Sequence, residues 1–210
     1  MKTPRVLSLV LASIVIAAMA GIVHAGEKKK NEIAIFAGGC FWCMESPYDF
    51  IDGVKSTTPG YTGGTTKNPT YHQVSTGETG HAESMEVEFD PSKVSYEELL
   101  LVYWHNINPT QSGGQFCDYG SQYRPEIFYT NDAQRVAAEA SKKEMEKRFG
   151  VVAVKIEPAS KFYPAEEYHQ DYCTRNSDAY HEYRELCGRD RVLKEIWGDE
   201  AGVAHASAKK

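Results

Sequence analysis

Ile33–Gly39, IAIFAGG, runs directly into CFWC at Cys40–Cys43, and this junction constrains the fold more than any other stretch. A short apolar run ended by Gly38 and Gly39 reads as a buried strand that stops there. No breaker follows until Pro47, and proline is tolerated in a first helical turn but costly deeper in. The chain must therefore leave a sheet and enter a helix at about Cys40. The glycines let another group approach the backbone closely. A thiol at a helix start meets unpaired N–H groups and the positive end of the dipole, so the position predicts a lowered thiol pKa. The same residues also fit a small buried cysteine among core aromatics. Cys40 with Cys43 fits a thioredoxin-like dithiol pair or half of a zinc site, and zinc would need Cys117, Cys173 and His169 to converge.

The rest of the pattern predicts one domain. VKSTTPGYTGG reads as a strand passing into a Gly/Thr/Pro loop, and HAESMEVEFD alternates through Met85, Val87 and Phe89 as a half-buried strand. Ser95 and Glu98 form a capping box that opens the helix YEELLLVYWHNI. PTQSGGQFCDYGSQYRP predicts a long loop, EIFYT a strand, Asn131 to Phe149 a helix closed by Gly150, and VVAVKIE another strand. A polar helical tail runs to about Trp197. Strands alternate with helices and nothing repeats. The expectation is an α+β domain over residues 33–198, a polar leader at 26–32 and a flexible tail at 199–210.

Residues 1–25 are a separate unit. Lys2 and Arg5 precede an uncharged apolar run, and VHA ends at Ala25 with small residues where a signal peptidase reads. This predicts a secretory signal and a periplasmic or other extracytoplasmic location. The alternative is a retained membrane anchor over residues 6–23, which is just long enough to span a bilayer. Five cysteines in an exported chain allow disulfides and leave at least one thiol over. The net charge of -6, with no long basic patch outside the termini, excludes nucleic acid as a natural partner.

Four further residues are candidates on chemical grounds. Glu83 follows two glycines near a strand start, where a carboxyl can turn into a pocket, gain a raised pKa and serve as general acid. The ordinary reading is an exposed edge glutamate. Tyr71, Asp118 and Tyr123 sit in or beside loops, where recognition groups concentrate, though each alone reads as a packing or surface residue.

Taken together, FAGGCFWCMES, GYTGG, NPTYHQVSTGETGHAESMEVEFDP, WHNINPTQSGGQFCDYGSQYRPEIFY, FYPAEEYHQDY and CGRDRVLKEIWG resemble the A-type peptide methionine sulfoxide reductases. The segments occur in order and cover nearly all of Ile33 to Gly198. The resemblance implies a two-layer α+β sandwich around a central βαβ, ferredoxin-like mixed sheet with long coil segments. It implies reduction of the S epimer of methionine sulfoxide, free or in oxidised proteins. Cys40 carries over as nucleophile and Glu83 as acid. Tyr71 and Tyr123 carry over as hydroxyl partners of the sulfoxide oxygen, Phe41 and Trp42 as the methyl pocket, and Asp118 as an organiser. His72, His81 and His169 stay with the ordinary reading of packing or supporting residues. No metal or cofactor is required. A second thiol condenses with the Cys40 sulfenic acid, and an external thioredoxin-type dithiol closes the cycle.

Two departures bear on that second thiol. Many family members have glycine at the place of Cys43, and many carry recycling cysteines in a glycine-rich C-terminal tail. Here no cysteine follows Trp197. The candidates are Cys187, slightly preferred, and Cys43, with Cys117 and Cys173 left to form an accessory or structural bond. The rival function is a thioredoxin-like dithiol–disulfide oxidoreductase using Cys40 and Cys43.

Overall fold

A computed structural model describes residues 30–202. The signal or anchor, most of the leader and residues 203–210 lie outside the described residues. Among the described residues eight strands form, β1 (Glu32–Ala37), β2 (Val54–Thr62), β3 (Ala82–Phe89), β4 (Gly114–Gln115), β5 (Asp118–Tyr119), β6 (Glu126–Tyr129), β7 (Lys155–Pro158) and β8 (Tyr163–Pro164). Six of them make one mixed sheet in the order β7-β6-β1-β3-β2-β8, with only β6 and β7 parallel. The helices are α1 (Phe41–Glu45), α2 (Tyr71–Ser75), α3 (Tyr96–His105), α4 (Asp132–Phe149), α5 (Tyr172–Arg175), α6 (Ser177–Leu186) and α7 (Arg189–Trp197).

Strand period sorts the core. Ala34 and Phe36 of β1, with Met85, Val87 and Phe89 of β3, pack against Leu99, Tyr103, Trp104, Leu193 and Trp197 from α3 and α7. Ile35 and Ala37 point the other way, onto Phe128 and Phe162. Glu83 is in phase with Met85 and Val87, so β3 carries its carboxyl into the protein. The predicted capping box holds α3: Glu98 N–H donates to Ser95 Oγ at 3.2 Å and Ser95 N–H to Glu98 Oε2 at 2.8 Å. Asn131 caps α4, and Gly150 ends it in the left-handed region at φ +79°.

Four expectations change. PGYT continues β2 rather than opening a loop, because Tyr61 and Thr62 pair with Glu83 and Ala82, and Tyr61 also with Tyr163. Pairing on both sides outweighs the weak strand propensity of Pro59 and Gly60. VVAVKIE is a strand only from Lys155, since Ala153 N–H donates to Pro109 O at 2.7 Å instead of to a neighbouring strand. The long loop after α3 holds the β4–β5 hairpin and a 3₁₀ turn at Ser121–Tyr123. The domain also exceeds its expected ends: Glu32 pairs with Phe89, and Gly202 N–H donates to His105 O at 3.0 Å, so the leader's last residue and the tail's first residues belong to the fold.

Candidate active site

The site starts where β1 stops. Tyr103 OH donates to the Ala37 carbonyl at 3.0 Å, closing the last strand position. Gly39 turns the chain at φ +89°, and a Cβ there would lie 2.7 Å from the Gln115 Cβ. Glycine is thus required for backbone and for space. Cys40 is the N-cap of α1, as the sequence predicts. The N–H groups freed at that helix start are taken by two acidic side chains. Phe41 N–H donates to Glu83 Oε2 at 3.1 Å, and Cys40 N–H donates to Asp118. Orphan helix donors therefore hold Glu83 and Asp118 beside the thiol.

Cys40, Phe41, Trp42, Tyr71, Glu83, Asp118 and Tyr123 all line one cavity of about 170 Å³, joined by Tyr183 from α6. Glu83 is 2% exposed. Burial, reinforced by the charges of Asp118 and Cys43, raises its pKa to about 8 against the opposing Phe41 hydrogen bond. It is thus a protonated carboxyl at neutral pH. Tyr71 opens α2, where the sequence predicts a position in or beside a loop. The Thr70–Gln73 capping box forms that helix, and Glu166 Oε1 accepts the Tyr71 N–H at 2.8 Å. Burial raises the Tyr71 hydroxyl to about 12 and pushes Tyr123 up as well, so both remain proton donors. Asp118 accepts from Tyr183 OH at 2.6 Å, which fixes one wall of the cavity.

The aromatic walls are held from behind. Trp42 stacks on Tyr172 at 3.7 Å between centroids, and its Nε1 donates to His169 Nδ1 at 3.1 Å. Phe41 packs on His169 at 5.0 Å and Tyr61 at 5.9 Å. His169 is thus a supporting residue. His81 instead clamps the GYTGG segment through Gly64 N–H and Thr66 O, and His72 is exposed outside the cavity. Tyr183, Tyr172, Glu166 and Arg189 were not singled out from the sequence. Each reaches the site from a distant segment of the chain, and a polar helix or loop gives no local sign of such a role.

Two cysteine expectations change. The Cys40 thiol is held up, not down, because burial outweighs the helix start and Cys43, Glu83 and Asp118 add to it. Cys40 donates to Cys43, whose pKa is lowered to about 6 by that hydrogen bond, with help against burial from Arg189 and Arg184. Cys117 is bonded to Cys187, so it forms no accessory bond with Cys173, and Cys187 is not a free thiol in this structure. Cys173 lies 3.7 Å from Asp49 Oδ2. Among the described residues, the one cluster of candidate metal ligands is Cys117, Asp118 and Cys187. Its two sulfurs are bonded to each other, and the convergence a zinc site needed does not occur.

This arrangement suits a reaction that needs a thiol nucleophile, a proton donor and a methyl-sized aromatic pocket together. The family model described as peptide methionine sulfoxide reductase matches residues 32–201. The chain is 47% identical over 192 residues to peptide methionine sulfoxide reductase MsrA 2 of Caulobacter vibrioides, covering 90% of this chain and 97% of that protein. It is 49% identical over 174 residues to the MsrA of Bacillus licheniformis, covering 81% and 96%. Among solved structures, Mxr1 of Saccharomyces cerevisiae in reduced form superposes with a TM-score of 0.67 at 32% identity, over 70% of this chain and 87% of that one. Methionine sulfoxide reductase A of Corynebacterium diphtheriae gives 0.62 at 30% identity, over 76% and 81%.

Proposed function

This chain belongs to the peptide methionine sulfoxide reductase family, and from that premise we propose how its own residues carry out the reaction. The protein is a peptide-methionine (S)-S-oxide reductase. The family match over nearly the whole described domain displaces the rival of general dithiol–disulfide exchange.

The substrate S-methyl group rests on Phe41 and Trp42, and its oxygen points to Glu83, Tyr71 and Tyr123. Cys40 attacks the sulfoxide sulfur while Glu83 protonates the oxygen, and the Cys40 proton returns to Glu83. Attack joins the Cys40 and substrate sulfurs; the S–O bond of the substrate breaks as its oxygen passes to Cys40, the bond between the sulfurs opens, and methionine leaves. The substrate sulfur gains two electrons and Cys40 becomes a sulfenic acid. Sharing of one cavity by Cys40 and a protonated Glu83 carries this reading.

Cys43 is the first resolver, ahead of Cys187, because it is a free thiol hydrogen-bonded to Cys40. Its thiolate attacks the sulfenic sulfur, an S–S bond forms, and the oxygen leaves as water after protonation. Cys187 enters later, paired with Cys117: an external thioredoxin-type dithiol reduces that disulfide from its exposed Cys117 side and is itself oxidised to a disulfide, and the two thiols released reduce Cys40–Cys43 by exchange as their own bond re-forms. Free methionine sulfoxide and oxidised proteins are the substrates. Export to the periplasm or another extracytoplasmic space agrees with the N-terminal pattern and with a disulfide in the domain.

The test is single turnover on S-epimer methionine sulfoxide, followed by steady cycling with a dithiol. Cys40→Ser is expected to release no methionine. Cys43→Ser is expected to release one equivalent and stop as the sulfenic acid. Full single turnover in Cys40→Ser would overturn the assignment of the nucleophile, and normal cycling in Cys43→Ser that of the resolver.

A further inference from the structure

Arg189, at the start of α7, is 1% exposed and ranks among the largest buried side chains. Its Nη2 donates to Asn106 O at 2.7 Å and Gly38 O at 3.0 Å, and touches Met44 Sδ at 3.3 Å. The guanidinium lies 4.3 Å from the centre of the Phe116 ring. These partners are carbonyls, a thioether and a ring. Nε and Nη1 have no hydrogen-bond partner among the described residues, and a Cβ on Gly39 would meet Nη1 at 3.4 Å. Arg189 therefore touches the chain just before Cys40, at Gly38 and Gly39, and just after Cys43, at Met44.

A buried cation carries a large desolvation cost unless an anion faces it. Neutral partners offset little of that cost. The Asp118 carboxyl, raised by burial and drawn down by Arg189, supplies part of the balance, and a second anion arises one residue from the Met44 contact in the reaction proposed above: the thiolate of Cys43 at the moment of condensation. We propose that Arg189 is a positioning residue for that step: it fixes the Gly38–Gly39 corner that aims Cys40, and it supplies the positive charge that faces the Cys43 thiolate as it attacks the sulfenic sulfur. The inference rests on the reading of Cys43 as resolver. The lowered pKa of Cys43, to which Arg189 contributes, agrees with it.

Other groups act on Cys43 and must be held constant. Cys40 donates to it from the same helix start, and Arg184 of α6 also lowers it. Asp118 of β5 opposes them. Tyr180 of α6 and Glu83 of β3 interact with its charge, while Tyr172 and Cys173 of α5 and Tyr183 of α6 pack around the thiol pair.

The measurement is the rate of Cys40–Cys43 disulfide formation after mixing reduced enzyme with one equivalent of S-epimer methionine sulfoxide, taken across pH. Arg189→Gln keeps donors for the two carbonyls and loses the charge, whereas Arg189→Lys keeps the charge. Arg189→Gln is expected to condense about twofold slower at pH 7, about tenfold slower below about pH 5, and at the parental rate well above neutral pH, the signature of a midpoint moved up by about one unit from about 6. Arg189→Lys is expected to stay within about twofold of the parent across the same pH range. An unmoved pH midpoint in Arg189→Gln, or equal slowing of both variants at every pH, overturns the proposal. If Arg189→Gln does not fold, the pH series is repeated on Arg189→Met, which keeps much of the buried volume without the charge. A midpoint unmoved in Arg189→Met then overturns the proposal. Failure of the resolver reading is distinct: a Cys43→Ser enzyme would still form a disulfide to Cys40 with Arg189 intact.

Discussion

The backbone N–H of Phe41 donates to Glu83 Oε2 at 3.1 Å, tying the residue after the nucleophile to the acid on β3 across 42 positions of sequence. The bond orients the carboxyl while burial keeps it protonated up to about pH 8. Glu83→Gln preserves the acceptor for Phe41 and removes the proton. Its single-turnover rate on S-epimer methionine sulfoxide is expected to fall by about 10²–10⁴-fold, the range for a lost general acid. In the parent, the rate should decline as pH rises past about 8, as Glu83 ionises. That limb should vanish in Glu83→Gln. A variant with parental rate and parental pH profile would remove Glu83 from the chemistry.

Glu45 makes a second pH dependence, in stability rather than rate. It is fully buried in α1, and Oε1 accepts the Asp171 N–H at 3.1 Å. Burial, against that hydrogen bond, raises its pKa to about 8 from 4.5. Its contribution is therefore complete below about 4.5, where folded and unfolded chains are both protonated, and is lost as pH rises through about 8. Glu45→Gln is expected to be more stable than the parent by about 2–4 kcal/mol at pH 8 and nearly equal to it at pH 4, read from urea midpoints. Parallel pH curves for the two proteins would show that the burial of Glu45 carries no such cost.

The legible parts of this protein are those whose signal is local. The Gly38–Gly39 stop, the Ser95–Glu98 box and the Asn131 and Gly150 ends of α4 all form as written in the sequence. The alternation of Met85, Val87 and Phe89, carried back two residues, puts Glu83 on the inner face of β3. What was not legible depends on contacts between remote segments. Tyr183 meets Asp118 across 65 residues, and His169 meets Trp42 across 127. The Cys40 pKa failed for the same reason: the helix start is a local feature, whereas the burial and the carboxylates that outweigh it arrive from β3 and β5.

His169 gives Trp42 its orientation only while its Nδ1 is bare. Trp42 Nε1 donates to that nitrogen at 3.1 Å, and burial holds the imidazole below its ordinary value of 6.5. The neutral ring is favoured at neutral pH, so this support is present above 6.5 and is lost as pH falls through the lowered folded value. His169→Phe keeps an aromatic face but has no acceptor. Its KM for free methionine sulfoxide is expected to rise about fivefold, the worth of one net hydrogen bond, with kcat within about twofold. The parental KM should rise on acidification and the variant's should not. A variant with unchanged KM would separate His169 from the methyl pocket.

Cys117 and Cys187 join the residue before Asp118 to the end of the helix that carries Tyr183, with 70 positions between them. Closing a loop of that length restricts the unfolded chain by about 4 kcal/mol in the chain-entropy model. The bond also flanks the Tyr183–Asp118 hydrogen bond, so the cavity wall and the domain are braced together. Reduction with dithiothreitol is expected to lower the parental Tm by about 8–16 °C, at roughly 2–4 °C per kcal/mol for a domain of this size. A Cys117→Ser, Cys187→Ser double variant should melt at the reduced parental temperature and show no further response to dithiothreitol. A parental Tm indifferent to reduction would mean that the two segments hold together without the bond, through α7 packing and the Tyr183–Asp118 contact alone.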